Sequence, residues 1–176
     1  MVDTVETSAS FEGWYRAEHP RLLGLLTVVA GDADVAREVT AEAFVRAFER
    51  WDRVAEMASP AGWTYRVGVN LLRRRLRRAT IESRLRLDAP APVAPPAVES
   101  ELWDAVRALP PRQRTAVALR YVCDLPQEEI AAVMNVSVGT VSATLTAARR
   151  RLAAELLRHG PGPSGPLSGR HEVRLD

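Results

Sequence analysis

The stretch EEIAAVMNVSVGTVSATLTAARRRL, from Glu128 to Leu152, decides how the second half of this 176-residue chain is read. Its apolar residues recur at helical spacing, but the pattern breaks once, at Asn135. Before the break Ile130 and Met134 share a face. After it Val138, Val141, Leu145, Ala148, Leu152 and Leu156 form a second stripe, because steps of three and four return to the same side of an α-helix. Ser137 stands where an N-cap is needed, its hydroxyl placed to accept an orphan amide one turn in. Two amphipathic helices with a tight break between them, the second ending in Arg149, Arg150 and Arg151, fit a helix-turn-helix. A plain helical hairpin gives the same pattern, so the rest of the chain has to choose.

Working outward, the chain reads as helices throughout. A helix from about Ser100 to Leu109 ends at Pro110-Pro111, and another follows from Arg112 to about Cys123. Upstream, the proline-rich DAPAPVAPPAV, Asp88 to Val98, has no aromatic residue and reads as an extended linker,. Before it lie three more helices: Phe11 to Ala30, a second ending near Trp51, and a third entered through Ser59-Pro60, a cap followed by proline at the first helical position,. The second carries Val35, Val39, Phe44, Phe48 and Trp51 on one face. The third carries Trp63, Val67, Leu71 and Leu76 before dissolving into an arginine run. The expected fold is all-α: two small helical domains, 11–87 and 100–158, joined by a Pro-rich linker at 88–99, the C-terminal one a four-helix domain with a helix-turn-helix. Residues 1–10 and the tail 159–176 are expected to be disordered.

Charge is distributed unevenly. Residues 1–58 hold eleven acids against six arginines, whereas 66–86 hold eight arginines against Glu82 alone. A focused basic stripe beside an acidic surface steers a polyanion to one face. The Arg73–Arg78 run reads as a nucleic-acid contact in preference to a solvated helix end, because its charges repel unless an anion offsets them. All 24 basic residues are arginine, which a G- and C-rich genome produces through codon choice, so arginine itself is not taken as a sign of bidentate contacts.

Other chemistry has no foothold. The one cysteine, Cys123, rules out an internal disulfide and a cysteine-rich zinc site,. His19, His159 and His171 are scattered, so no metal site, no triad and no catalytic residue are expected,. A G-x-G-x-x-G at Gly160, Gly162 and Gly165 lies among prolines without a preceding strand, so it is no dinucleotide fingerprint and no cofactor is expected,. The longest apolar run is far short of the roughly 20 residues a membrane span needs. The acidic start is no signal peptide, and a cytoplasmic protein without membrane insertion is expected.

An acidic helical domain with a basic end, a proline-rich linker and a small helix-turn-helix domain together resemble a bacterial sigma-70 family factor of the extracytoplasmic-function (ECF) group. The resemblance covers residues 11–158. It rests on AREVTAEAFVRAFERWD, on SPAGWTYRVGVNLLRRRLRR, and above all on LWDAVRALPPRQRTAVALRYVCDLPQEEIAAVMNVSVGTVSATLTAARRRL. It implies a non-enzymatic transcription initiation factor that binds core RNA polymerase and promoter DNA and is commonly held by an anti-sigma factor. It would set Glu38, Glu42, Phe44, Ala47, Phe48 and Trp51 against the β′ clamp helices. Trp63, Arg66, Asn70, Arg73, Arg74 and Arg77 would open and hold the −10 element, whose flipped bases need a shaped site and a basic surface together. The second domain would bind the β flap and present Ser137, Gly139, Thr140, Ser142, Ala143, Thr144, Arg149 and Arg150 to the −35 major groove.

Two departures from the family pattern stand out. After Gly139-Thr140-Val141 the family usually carries a basic residue, serine and arginine; here Ser142, Ala143 and Thr144 remove two cations and their phosphate contacts,. In REVTAEAF, Arg37 and Ala43 alter the polar surface expected to meet polymerase, and Val69 replaces the usual arginine before Asn70. Two other functions stay open from the residues alone. One is a stand-alone helix-turn-helix regulator, which would be a dimer; the other is a sigma-like adaptor that has lost DNA binding.

Overall fold

The computed structural model describes the backbone of residues 2–85 and 101–159, and the side chains of residues 11–81 and 102–158. The expected linker at 88–99 and the glycine-rich tail beyond His159 lie outside the described residues. Eight helices are described: α1 (Val2–Ala30), α2 (Ala33–Phe48), α3 (Trp51–Val54), α4 (Pro60–Leu85), α5 (Glu101–Ala108), α6 (Pro111–Tyr121), α7 (Gln127–Met134) and α8 (Val138–His159).

Local chemistry sets most of the boundaries. Gly31, at φ 70°, ends α1, a left-handed position that glycine takes without a Cβ clash. Asp32 then caps α2 by accepting from the amides of Asp34 (2.9 Å) and Val35 (3.0 Å). Ser59 caps α4 by accepting from the Gly62 amide at 3.1 Å, with Pro60 at the first helical position. Asn135 closes α7 in the left-handed conformation, φ 54°, and Ser137 Oγ accepts from the Thr140 amide at 3.2 Å to start α8. The two helices are thereby bent by 100°, within the range of helix-turn-helix units. Left-handed backbone costs an alanine about 1–2 kcal/mol. Asn135→Ala is therefore expected to lower the melting temperature by several degrees while Asn135→Gly holds it, which paired thermal unfolding curves would check.

Three boundaries differ from expectation, the first being that α2 ends at Phe48 and Trp51 starts the separate α3. Helix α1 begins at Val2, within the segment expected to be disordered; residues 2–10 contain neither proline nor glycine to stop it. Helix α4 runs on through the arginines to Leu85, because arginine is a good helix former and Arg75 is paired with Glu38 of α2. Pro20 lies inside α1, where it forfeits one helical hydrogen bond; the fully buried Leu22, Leu25 and Leu26 just beyond it offset that loss.

The two sequence units pack along a common seam, α1 against α6 and α4 against α7, and their buried residues form one cluster. Leu22, Leu25 and Leu26 of α1 meet Tyr65, Val69 and Leu72 of α4 in it, together with Leu119, Ile130, Met134, Val141 and Leu145 from the second unit. Tyr65 donates to Glu18, tying α4 to α1; burial, then that bond, raise the Tyr65 phenol above its usual pKa. At the seam a Cβ on Gly24 would stand 3.0 Å from Val122 Cγ1, so glycine admits the closest approach of α6. Arg114 donates to the carbonyls of Leu109 (3.1 Å) and Val29 (3.3 Å), filling acceptors left open where α5 and α1 end. Cys123 Sγ donates to the Arg21 carbonyl at 3.7 Å, and burial pushes its thiol up to about 12.

Some apolar residues fall outside the stripes assigned to them. Phe48, Leu76, Val138 and Leu156 are exposed. Val138 opens α8, and Phe48 is the last residue of α2, at the edge of its packing on α1. Phe48 still meets Phe11 edge-on, 5.0 Å between centroids, at the rim of an aromatic cluster in which Trp14 contacts Trp51 (4.7 Å) and Phe44 (5.4 Å).

Candidate nucleic-acid interface

Helix α8 presents a nearly uncharged start. Ser137, Gly139, Thr140, Ser142 and Ala143 are exposed and Thr144 is half-buried. Ser137 Oγ and Thr140 Oγ1 lie 2.8 Å apart, and Thr144 Oγ1 donates back to the Thr140 carbonyl at 2.7 Å. The hydroxyls of Ser137, Thr140 and Thr144 thus have local partners, which leaves them less to offer a base edge. At roughly 100° per residue, Gly139, Ala143 and Arg150 stand opposite the buried Val141–Leu145–Ala148 stripe. Arg149 lies on a flank, its Nε donating to Tyr121 Oη at 3.2 Å. Thr146, exposed and on the outward side beside Ala143 and Arg150, belongs to this face; helical spacing from Ala143 was the signal for it.

Helix α4 carries the charge. Trp63, Arg66, Asn70, Arg73, Arg74 and Arg77 recur at steps of three and four, so the structure brings all six onto one side of a continuous helix. From Trp63 to Arg77 the stripe is roughly 21 Å long. Arg66, Asn70, Arg74 and Arg77 are exposed, while Trp63 and Arg73 are half-buried. Arg73 loses basicity through burial, and Arg112 at the start of α6 and Arg77 add repulsion. Arg75 points to Glu38 instead. Among the described residues no carboxylate pairs with Arg66, Arg74 or Arg77, so that charge is free for an anion. Trp63 and Arg66 also line a cleft of about 200 Å³ with Met57, Ser59, Gly62, Glu129 and Ala132.

The third set divides. Glu38 and Glu42 are exposed, paired with Arg75 and Arg46. Phe48 is exposed too. Phe44, Ala47 and Trp51, however, are buried in the α1–α2–α3 packing, so their side chains shape the surface from behind and do not present it. Helical spacing marks an apolar face without saying whether a chain's own helix or a partner covers it. Val45, 55% exposed beside Phe48 at 56%, is an outward apolar residue of the same helix that the sequence reading did not single out. Among the described residues no group of His, Cys, Asp or Glu could hold a metal ion, and no single helix is long and apolar enough to cross a membrane.

The same two units are matched independently by family models: Sigma-70 region 2 over residues 14–81 and Sigma-70, region 4 over residues 99–152. The RNA polymerase sigma-E factor of Streptomyces avermitilis is 30% identical over 151 residues, covering 83% of this chain and 84% of its own length. The chain belongs to the sigma-70 family, ECF group. ECF RNA polymerase sigma factor SigW of Bacillus subtilis is 26% identical, with 72% of this sigma factor and 78% of SigW covered. Among solved structures, the sigma factor RpoE in complex with the anti-sigma factor NepR, from Bartonella quintana, superposes at a TM-score of 0.74. It is 19% identical and covers 84% of this chain and 97% of its own. CnrH in complex with the cytosolic domain of CnrY gives 0.64 at 21% identity, covering 87% and 91%. This sigma factor is thus an all-α, two-unit protein that directs transcription.

Proposed function

We propose that this alternative sigma factor binds core RNA polymerase through the exposed part of α2, around Val45 and Phe48 with Glu38 and Glu42, and melts the −10 element over the Trp63–Arg77 stripe. The observation that carries the reading is that stripe: unpaired arginines on one face of α4, leading away from a half-buried tryptophan at a cleft. Arginines hold the backbone and an aromatic ring offers a stacking platform, the pairing single-strand recognition requires.

Helix α8 reads the −35 groove through its outward face, with Arg150 as its central cation and Arg149 reaching phosphate from the flank. With Ser142, Ala143 and Thr144 neutral, this contact is the weaker of the two. An apolar cleft of about 330 Å³ between α5, α6 and α8, lined by Leu102, Trp103, Tyr121 and Leu152, suits a segment of the β flap. An anti-sigma factor is the expected antagonist, as RpoE was solved with the anti-sigma factor NepR and CnrH with the cytosolic domain of CnrY.

In vitro transcription with core polymerase and sheared genomic DNA tests the reading. Discrete start sites that depend on this protein are expected. Val45→Asp with Phe48→Asp is expected to abolish core binding in a pull-down with the helical circular dichroism unchanged. Wild-type protein that never binds core would move the assignment to a stand-alone DNA-binding regulator. Binding without initiation would move it to an adaptor.

A further inference from the structure

The apolar cleft of about 330 Å³ between α5, α6 and α8 is open among the described residues. Leu102 and Tyr121 at its rim are exposed, with Val117 and Ala118 buried behind them. Exposed apolar surface gathered in one concavity marks a docking place. Arg149 is the one charged residue in the described lining. It donates to Tyr121 Oη at 3.2 Å, and among the described residues no carboxylate pairs with it. The occupant that fits is a short apolar segment with a carboxylate beside it.

The chain carries such a segment within reach. Helix α8 ends at His159, and the sequence beyond it opens with Gly160, Pro161, Gly162 and Pro163, residues that oppose a helix. Farther on, Val173 and Leu175 alternate with Glu172, Arg174 and Asp176. In an extended segment that alternation sets Val173 and Leu175 on one side, with a carboxylate at either end of the pair. From His159 back to Leu152 and Arg149 is roughly 10–15 Å along α8. Residues 160–172, at up to about 3.3 Å each, can span more than twice that distance. A tethered segment meets its site at an effective concentration on the order of millimolar, so a weak contact is enough to fill it.

We infer that residues 172–176 dock in this cleft, Val173 and Leu175 against Leu102, Trp103 and Leu152 with a flanking carboxylate on Arg149, and that a polymerase segment must displace them. The displacement rests on the β flap reading of the cleft; the docking does not. A chain that has to vacate its own cleft binds the flap with an affinity reduced by the vacant fraction. A carboxylate on Arg149 also withholds that cation from −35 phosphate.

The thiol introduced by Leu102→Cys reads occupancy directly, because Leu102 is exposed at the rim. Its alkylation by a maleimide is followed by peptide mass spectrometry, which separates it from the buried Cys123. Rates are compared in the full chain with and without Val173→Asp and Leu175→Asp. With the cleft about four-fifths filled, the chain without the aspartates is expected to react about fivefold more slowly. Equal rates overturn the inference. Protection that fades on dilution assigns the cover to a second copy and overturns it as well.

A second measurement leaves the cleft unaltered. Amide hydrogen exchange of α5, Glu101–Ala108, is expected to be about fivefold slower in the wild-type chain than with Val173→Asp and Leu175→Asp. Exchange equal in the two overturns the inference. The same two chains are then titrated with core polymerase, which the aspartate chain is expected to bind about fivefold more tightly. Protection of the cleft with equal core affinity keeps the docking and removes the flap reading. Tighter core binding without protection of the cleft overturns the docking.

Discussion

Replacing Arg66, Arg74 and Arg77 together by alanine should weaken the holoenzyme's grip on a single-stranded −10 oligonucleotide by about fifty-fold at 0.15 M salt. The figure follows from counterion release: each phosphate neutralised on a single strand contributes about 0.7 to the slope of log affinity against log salt, so three contribute about 2. All three side chains are exposed on one side of α4, and among the described residues none is held by a carboxylate, so no internal ion pair is lost with them. Anisotropy titrations across a salt series give both numbers at once. Arg75→Ala is the matched control, since Arg75 is paired with Glu38 and its removal should leave the slope nearly unchanged. A triple variant with the parent's slope would take the arginines out of the strand path. On double-stranded −35 DNA the corresponding change, Arg150→Ala, should alter the slope by about 0.9, the value for one duplex phosphate.

What could be read from the sequence was local, and what could not was long-range. Asn135 and Ser137 announce the helix-turn-helix because a left-handed residue and a cap act within one turn. Ser59-Pro60 and Gly31-Asp32 announce α4 and α2 for the same reason. The arginine run was legible as a basic face, yet its repulsion was overestimated: Arg75 finds Glu38 on another helix, and periodicity holds no information about that pairing. The same limit explains α2. Phe44, Phe48 and Trp51 share one spacing, but Phe44 and Trp51 are covered by α1 while Phe48 lies at the rim. The seam itself was invisible, because Gly24, Val122, Arg114 and Glu129 are ordinary residues until the topology sets α6 on α1 and α7 on α4. Consequently the six α4 positions were legible as one set, whereas α7 packing beside Trp63 and Arg66 was not.

Leu119→Ala should lower the stability of the whole chain by about 2–5 kcal/mol, a large share of the roughly 5–15 kcal/mol available to a typical domain. Leu119 is fully buried in α6, inside the cluster that continues from the second unit into α1 and α4. Truncation removes the transfer energy of its isobutyl group and leaves a cavity that two packed helices cannot readily collapse. Urea unfolding should show a lower midpoint with an unchanged slope, since the surface exposed on unfolding is nearly the same. Leu157→Ala supplies the contrast: Leu157 is 82% exposed, and its loss should stay within about 0.5 kcal/mol. Two probes make the result informative about the seam. With Trp103 of α5 replaced by phenylalanine, Trp14, Trp51 and Trp63 report on α1–α4, while exposure of Cys123 reports on the end of α6. A cavity at Leu119 should shift the Cys123 transition most and the tryptophan transition less but in the same direction, because the seam couples the units. A tryptophan transition that does not move at all would mean that α1 and α6 contribute nothing to each other's stability, and the shared cluster would then be contact without energetic coupling.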